Sequence, residues 1–182
     1  SWILNLFIGV VNALVLLVSY YVFGLSYEFF ASLIIAGLVL IIFISDFKYM
    51  IILDSPLIVA AILILILRAY FYGFKNMGLS LLSGVVLFVL MLLIGLLGKK
   101  MFQKEALGGG DIKLAGVIGI ILGFKLGLVS IILSSLLALP YAIGAMMLNK
   151  NSEVPFGPFL ISSMAIVFIF ADKFSNLIAF LF

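Results

Sequence analysis

Apolar residues in this chain arrive in runs of about 17 to 24, separated by short polar breaks. A helix rises about 1.5 Å per residue, so roughly 20 residues cover a hydrocarbon core of about 30 Å. The runs therefore read as membrane spans. Composition agrees: 67% of residues are hydrophobic and 9% charged, where soluble proteins carry roughly a quarter charged. Breaking the runs at charges, Gly and Pro predicts helices at 2–24, 29–45, 51–67, 79–98, 112–123, 126–148 and 158–182. The connections are short, and neither an internal repeat nor a soluble domain is visible. The expected fold class is an all-α, polytopic transmembrane helix bundle of about six to seven helices, one membrane domain over 1–182. The first run lacks a basic leading segment and an obvious small-residue cleavage site, so it reads as a retained helix.

Cysteine and histidine are both absent. That removes thiolate nucleophiles, Ser-His and Cys-His systems, sulfur-ligated metals and HExxH metalloproteases. Chemistry is left to carboxylates, lysines, hydroxyls and the backbone. The net charge of +3 reports orientation in a membrane protein, not a nucleic-acid partner; the expected partner is the lipid bilayer. Alternating the helices puts Lys48, Lys99, Lys100, Lys104, Lys113 and Lys150 on one side and Arg68, Lys75, Lys125 and Lys173 on the other. The positive-inside rule then makes the side carrying Asp46 and Asp111 cytoplasmic.

Seven acidic residues exist. Glu28, Glu105 and Glu153 read as solvated charges in connections, and Asp172 beside Lys173 reads as a local pair or a snorkelling group. Asp54 begins Leu-Asp-Ser-Pro ahead of an apolar run, which suits an N-cap with Pro56 in the first turn. Asp46 ends the run from Phe29 to Ser45, and Asp111 follows three glycines and opens the next helix. Singly, each has a plain alternative: Asp111 capping its helix, Asp46 pairing with Lys48 or Lys113. The predicted helix at 112–123 reaches only about 18 Å, so either Asp111 is sunk below the interface or the helix stops early on the far side.

Together the two aspartates imply more. Two neighbouring carboxylates do not both ionise readily, so one keeps its proton while the other is charged. In an aspartyl protease the charged one takes a proton from the attacking water and the protonated one donates to the scissile carbonyl oxygen, with no covalent intermediate, cofactor or metal. Gly108, Gly109 and Gly110 let another backbone approach, and so are candidates to hold an extended substrate strand. The alternative is a flexible loop.

Gly108-Gly109-Gly110-Asp111-Ile112-Lys113-Leu114, followed by Gly119 and Gly123, resembles the GxGDxKL motif of type IV prepilin peptidases, which are polytopic GxGD aspartyl proteases. Asp46-Phe47-Lys48-Tyr49-Met50-Ile51-Ile52-Leu53-Asp54 resembles that family's first-aspartate motif, with Leu53 in place of its usual proline. Val154-Pro155-Phe156-Gly157-Pro158-Phe159-Leu160 looks like its late Pro-Phe-Gly-Pro element. The resemblance covers about residues 30–170. It implies that Asp46 and Asp111 are the catalytic pair; Gly108, Gly109, Gly110 and Lys113 are the candidate substrate-binding residues, and the two-carboxylate mechanism needs no cofactor. The implied partner is the leader of a type IV prepilin, pseudopilin or archaeal preflagellin with its apolar helix. Cleavage is implied at the cytoplasmic face of the inner membrane. Lys113 has two readings, one biasing the pair or meeting an acidic group on the substrate, the other a snorkelling lysine that orients its helix. Large bacterial members carry a cysteine-bearing cytoplasmic insert and methylate the new N-terminus; without cysteine, only the short, peptidase form is expected here.

Rival readings are weaker. Presenilin and signal peptide peptidase pair their GxGD element with Tyr-Asp and Pro-Ala-Leu, whereas this chain has Ser45-Asp46 and Ala138-Leu139-Pro140. A small proton- or cation-coupled transporter using the same aspartates predicts an inverted repeat. A subunit without activity gives no reason for two aspartates on one face.

Overall fold

The computed structural model describes residues 2–102, 107–147 and 155–181. Lys104, Glu105, Lys150, Glu153 and Val154 lie outside them. The described residues are helical: α1 (Trp2–Phe23), α2 (Tyr27–Tyr49), α3 (Asp54–Phe102), α4 (Gly109–Leu122), α5 (Phe124–Met147), α6 (Gly157–Ile169) and α7 (Ala171–Leu181). Three of these, α2, α3 and α5, are long and apolar enough to cross a bilayer, and α6 with α7 makes a fourth candidate. Large apolar side chains such as Leu17, Val59, Ile66 and Leu82 face outward, as lipid-facing surfaces do when only helices can satisfy the backbone in hydrocarbon. The protein is a multi-pass membrane protein of the expected all-α class.

Two differences from the predicted elements alter the path of the chain. The expected connection at 68–78 is helical except at Gly73, whose φ of 82° and ψ of 167° break α3 into two arms. Only Gly adopts that backbone without steric cost. Arg68 on the first arm donates to the Ile121 carbonyl at 2.6 Å, and Ser80 on the second donates to the Ile120 carbonyl at 2.5 Å. At the other end, Asp54 meets Lys113 and Gly95 faces Ile112. The two arms are therefore antiparallel and share α4 between them, so the prediction of two oppositely directed helices holds without the loop. The expected helix at 158–182 is broken at Phe170, with an 83° bend between α6 and α7.

α4 is the hub. Ile112 and every residue from Leu114 to Ile121 are buried, against α3, α5 and α6. The close approach is made by small residues. A Cβ on Gly119 would lie 2.6 Å from the Ser83 carbonyl oxygen and 2.8 Å from the Gly84 Cα; one on Gly84 would lie 2.8 Å from the Gly116 carbonyl oxygen. Backbone contact through small residues is how helices associate in lipid, where apolar burial gives no drive. Other buried residues, including Ile42, Ile64, Leu87, Leu160 and Met164, close the core around it.

Gly119→Leu has no room to relax, because its neighbours are backbone atoms. Overpacking of this kind costs about 1–3 kcal/mol or more, and we expect a clear loss of thermal stability in detergent. Gly144→Ala, in α5 with nothing within 4 Å of its Cβ, is the control and is expected to be neutral or stabilising by up to about 1 kcal/mol.

Candidate active site

Asp46 lies in the last turn of α2 and is buried, 6% exposed. α2 ends directly after it: the Met50 N–H donates to the Asp46 carbonyl at 2.9 Å, and Met50 takes a left-handed backbone with φ 52°. A non-glycine residue there costs about 1–2 kcal/mol. The turn sends Ile51, Ile52 and Leu53 across the mouth of the bundle before α3 starts.

The Asp46 Oδ2 accepts the backbone N–H of Gly157 at 3.1 Å. Gly157 opens α6, so the carboxylate sits on a helix N-terminus with a free donor and a favourable dipole. The late Pro-Phe-Gly-Pro segment thereby acquires a physical role. A Cβ on Gly157 would fall 2.8 Å from the Asp46 Oδ2 and 2.9 Å from the Ile52 Cδ1, so either side chain would have to move. Pro158 follows in the first turn, where it forfeits no hydrogen bond.

Asp111 is the third residue of α4, a helix of 14 residues and too short to rank among the spans. Gly108 is the N-cap, extended and without a side-chain cap. The Asp111 side chain reaches back to the Gly108 backbone, half of a capping box. Capping and a chemical role are thus compatible. Gly109 and Gly110 form the first turn of α4 and are not a free loop. Ile52 crowds Gly110, its Cβ lying 2.8 Å from an added Cβ; Gly109 has nothing within 4 Å among the described residues. Ile52 thus sits between Gly110 and Gly157, joining the helix end that carries Asp111 to the helix end whose N–H holds Asp46.

Asp46 and Asp111 line one cavity of about 480 Å³ together with Met50, Ile52, Gly108 and Gly110. The Asp111 Oδ1 is buried without a hydrogen-bond partner among the described residues. Burial, and next the Asp46 charge, push the Asp111 carboxyl up to about 7, against a smaller opposing effect of the Gly108 backbone. The arrangement can hold one proton between two acids near neutral pH.

Lys113 is on the rim of the same cavity and donates to both oxygens of Asp54 at 2.7 and 2.8 Å. Asp54 is the first residue of α3, and its carboxylate goes to this ion pair, where capping was expected. Lys113 does not pair with Asp46. Nor does Lys48 point there; its ammonium lies 5.1 Å from the Tyr49 ring centroid. Ile52, Met50 and Gly157 were missed as site-forming residues. The signal for Gly157 was present in the Pro-Phe-Gly-Pro string, whose contact with a residue 111 positions earlier no local pattern reveals.

A helical membrane protein with two acidic side chains in one cavity at the ends of two helices is the class of protein so defined. Residues 33–143, well over half of the chain, match the type IV leader peptidase family. The chain belongs to that family. It is similar to the prepilin leader peptidase/N-methyltransferase of Bacillus subtilis (strain 168), 28% identical over 160 residues, which cover 83% of this chain and 60% of that protein. The chain thus spans about three fifths of the length of that relative. No solved structure matches it.

The raised Asp111 has a signed consequence. Unfolded, its carboxyl titrates at about 3.9. Folding retains the proton, so its stabilising contribution is complete below pH about 4 and is lost as pH rises through about 7. A protonated-carboxyl infrared band that titrates near pH 7 and is absent from Asp111→Asn is expected; its disappearance by pH 5 in the parent contradicts the assignment.

Proposed function

We propose that this chain is an aspartyl endopeptidase of the cytoplasmic membrane. Its substrates are type IV prepilins, pseudopilins or archaeal preflagellin-like proteins, from which it removes the N-terminal leader at the cytoplasmic face. The single observation that carries the reading is that Asp46 and Asp111, 65 positions apart in sequence, line one cavity. Family membership supplies the substrate class, and the excess of lysines on that side supports the orientation. We take the peptidase core as about residues 30–170 within one membrane domain.

The two acids take different parts. Asp46, with the Gly157 N–H on its Oδ2, is the charged member and removes a proton from water as the oxygen attacks the scissile carbonyl. Asp111, whose carboxyl is raised to about 7 by burial and by Asp46, holds the proton and donates it to the carbonyl oxygen. The resulting diol collapses as the C–N bond breaks. The proton taken up by Asp46 passes to the leaving amine, and the diol returns a proton to Asp111. The open side of Gly109 and the unpaired N–H groups of the first turn of α4 suit an extended peptide backbone. Lys113 offers its ammonium to an acidic substrate side chain in exchange for Asp54. Its role is binding, so Lys113→Met is expected to raise KM with little change in kcat. The relative's name also carries N-methyltransferase; the proposal for this cysteine-free chain is confined to peptide cleavage.

Purified protein in detergent, given a prepilin-like substrate, is expected to cut it. Asp46→Asn and Asp111→Asn should each lower the rate by about 10²-fold or more, the scale of one lost acid-base group, with helical content unchanged. A single variant that cuts near the parent rate rejects the shared-proton mechanism. Gly157→Ala should also lose activity, because its methyl group displaces Asp46 or Ile52.

A further inference from the structure

The last helix does not continue the span that precedes it. α6 has 13 residues and rises about 20 Å. The chain then turns by 83° at Phe170 into α7. That turn falls at the end of the bundle opposite the two aspartates. Phe168, just before it, packs edge-on against Phe23 at 6.1 Å, and Phe23 immediately precedes the turn into α2. The same end carries a polar and aromatic belt. Arg68 donates to the Tyr27 hydroxyl at 3.0 Å, and Tyr72 donates to Glu28 at 3.0 Å. Belts of this kind mark the level of the membrane interface.

Around its own axis α7 has three sectors. Ala171, Phe174 and Ile178, spaced at three and four residues, are partly buried on the side where α7 touches α5 and α6. Asp172, Ser175 and Asn176 are exposed and polar. Leu177 and Phe180 are exposed and apolar, 52% and 87%, and lie in a third direction at 100° per residue. Lys173 projects between Phe180 and Leu177 in the apolar sector; its ammonium lies 5.3 Å from the Phe170 ring centroid, and a lysine stem can lie along apolar surface while its charge reaches the headgroup level. A helix that crossed the hydrocarbon would place Asp172, Lys173, Ser175 and Asn176 in lipid, which is costly for the charged pair.

We infer that α7 lies flat in the headgroup region at the end of the bundle opposite the aspartates. Leu177 and Phe180 dip into the acyl boundary, and Asp172, Ser175 and Asn176 face water. The partner is the lipid surface itself, in the manner of an interfacial amphipathic helix. Asp172 and Lys173 cancel, so binding rests on apolar burial and needs no anionic lipid. This inference does not depend on the peptidase reading.

The absence of cysteine makes the test direct. Ser175→Cys, Asn176→Cys, Leu177→Cys and Phe180→Cys are spin-labelled one at a time in the full chain. Each is reconstituted in phosphatidylcholine vesicles and read for collision with oxygen, which partitions into lipid, and with a water-soluble nickel chelate. Labels at 175 and 176 should favour the nickel chelate and labels at 177 and 180 oxygen, with no net trend along the helix. A steady change in depth of about 1.5 Å per residue means that α7 re-enters or crosses the bilayer. Uniform access to the nickel chelate means that it leaves the membrane. Either result overturns the inference. Asp172→Cys repeats the polar reading should Ser175→Cys or Asn176→Cys fail to fold.

Discussion

The contact on which the site depends is made by Ile52. Its side chain stands between the N-terminal turns of α4 and α6, so close that a Cβ at 110 or 157 would force a neighbouring side chain to shift. Remove either glycine and a methyl group must push the loop after α2, or the carboxylate of Asp46, away from its place. The two acids are therefore held by shape before any charge interaction is considered. Desolvation and like-charge repulsion then act on groups that packing has already brought together, which is why one carboxyl retains its proton near neutrality.

The same economy of small residues sets the rest of the bundle. In lipid, apolar burial does not drive helices together, so close backbone approach and interhelical hydrogen bonds must. Gly84, Gly116 and Gly119 give the approach between α3 and α4. Ser80 and Arg68 supply hydrogen bonds from both arms of α3 to the last turn of α4. Those bonds satisfy carbonyls that a helix end leaves open. They also fix the far end of the helix whose near end carries Asp111. A buried hydrogen bond at 3.1 Å between Ser130 and Ser163 does the same for α5 and α6.

Much of this was legible in the order of residues. Runs of apolar residues at membrane length gave the helical class, and the scarcity of charge left two aspartates standing out at helix ends. What was not legible was decided by single backbone angles or by long-range contacts. Gly73 lies in a stretch that reads as a polar connection, yet one residue at φ 82° turns the chain while both flanks stay helical. Phe170 carries no Gly or Pro signal for the 83° bend. Asp54 looked like a cap because local sequence permits one, but Lys113, 59 positions away, claims both its oxygens. The glycines before Asp111 were noticed as permissive; that Gly110 is crowded follows only from where Ile52 sits.

Asp46 and Asp111 line a single cavity in the folded protein, and cross-linking tests that proximity directly. Asp46→Cys/Asp111→Cys, in a chain with no other cysteine, can be treated in membranes with a short bis-methanethiosulfonate bridge and the linkage read after proteolysis between the two positions. The two fragments should stay joined until reductant is added. Fragments that separate although each cysteine is shown to react with the reagent singly would contradict that proximity.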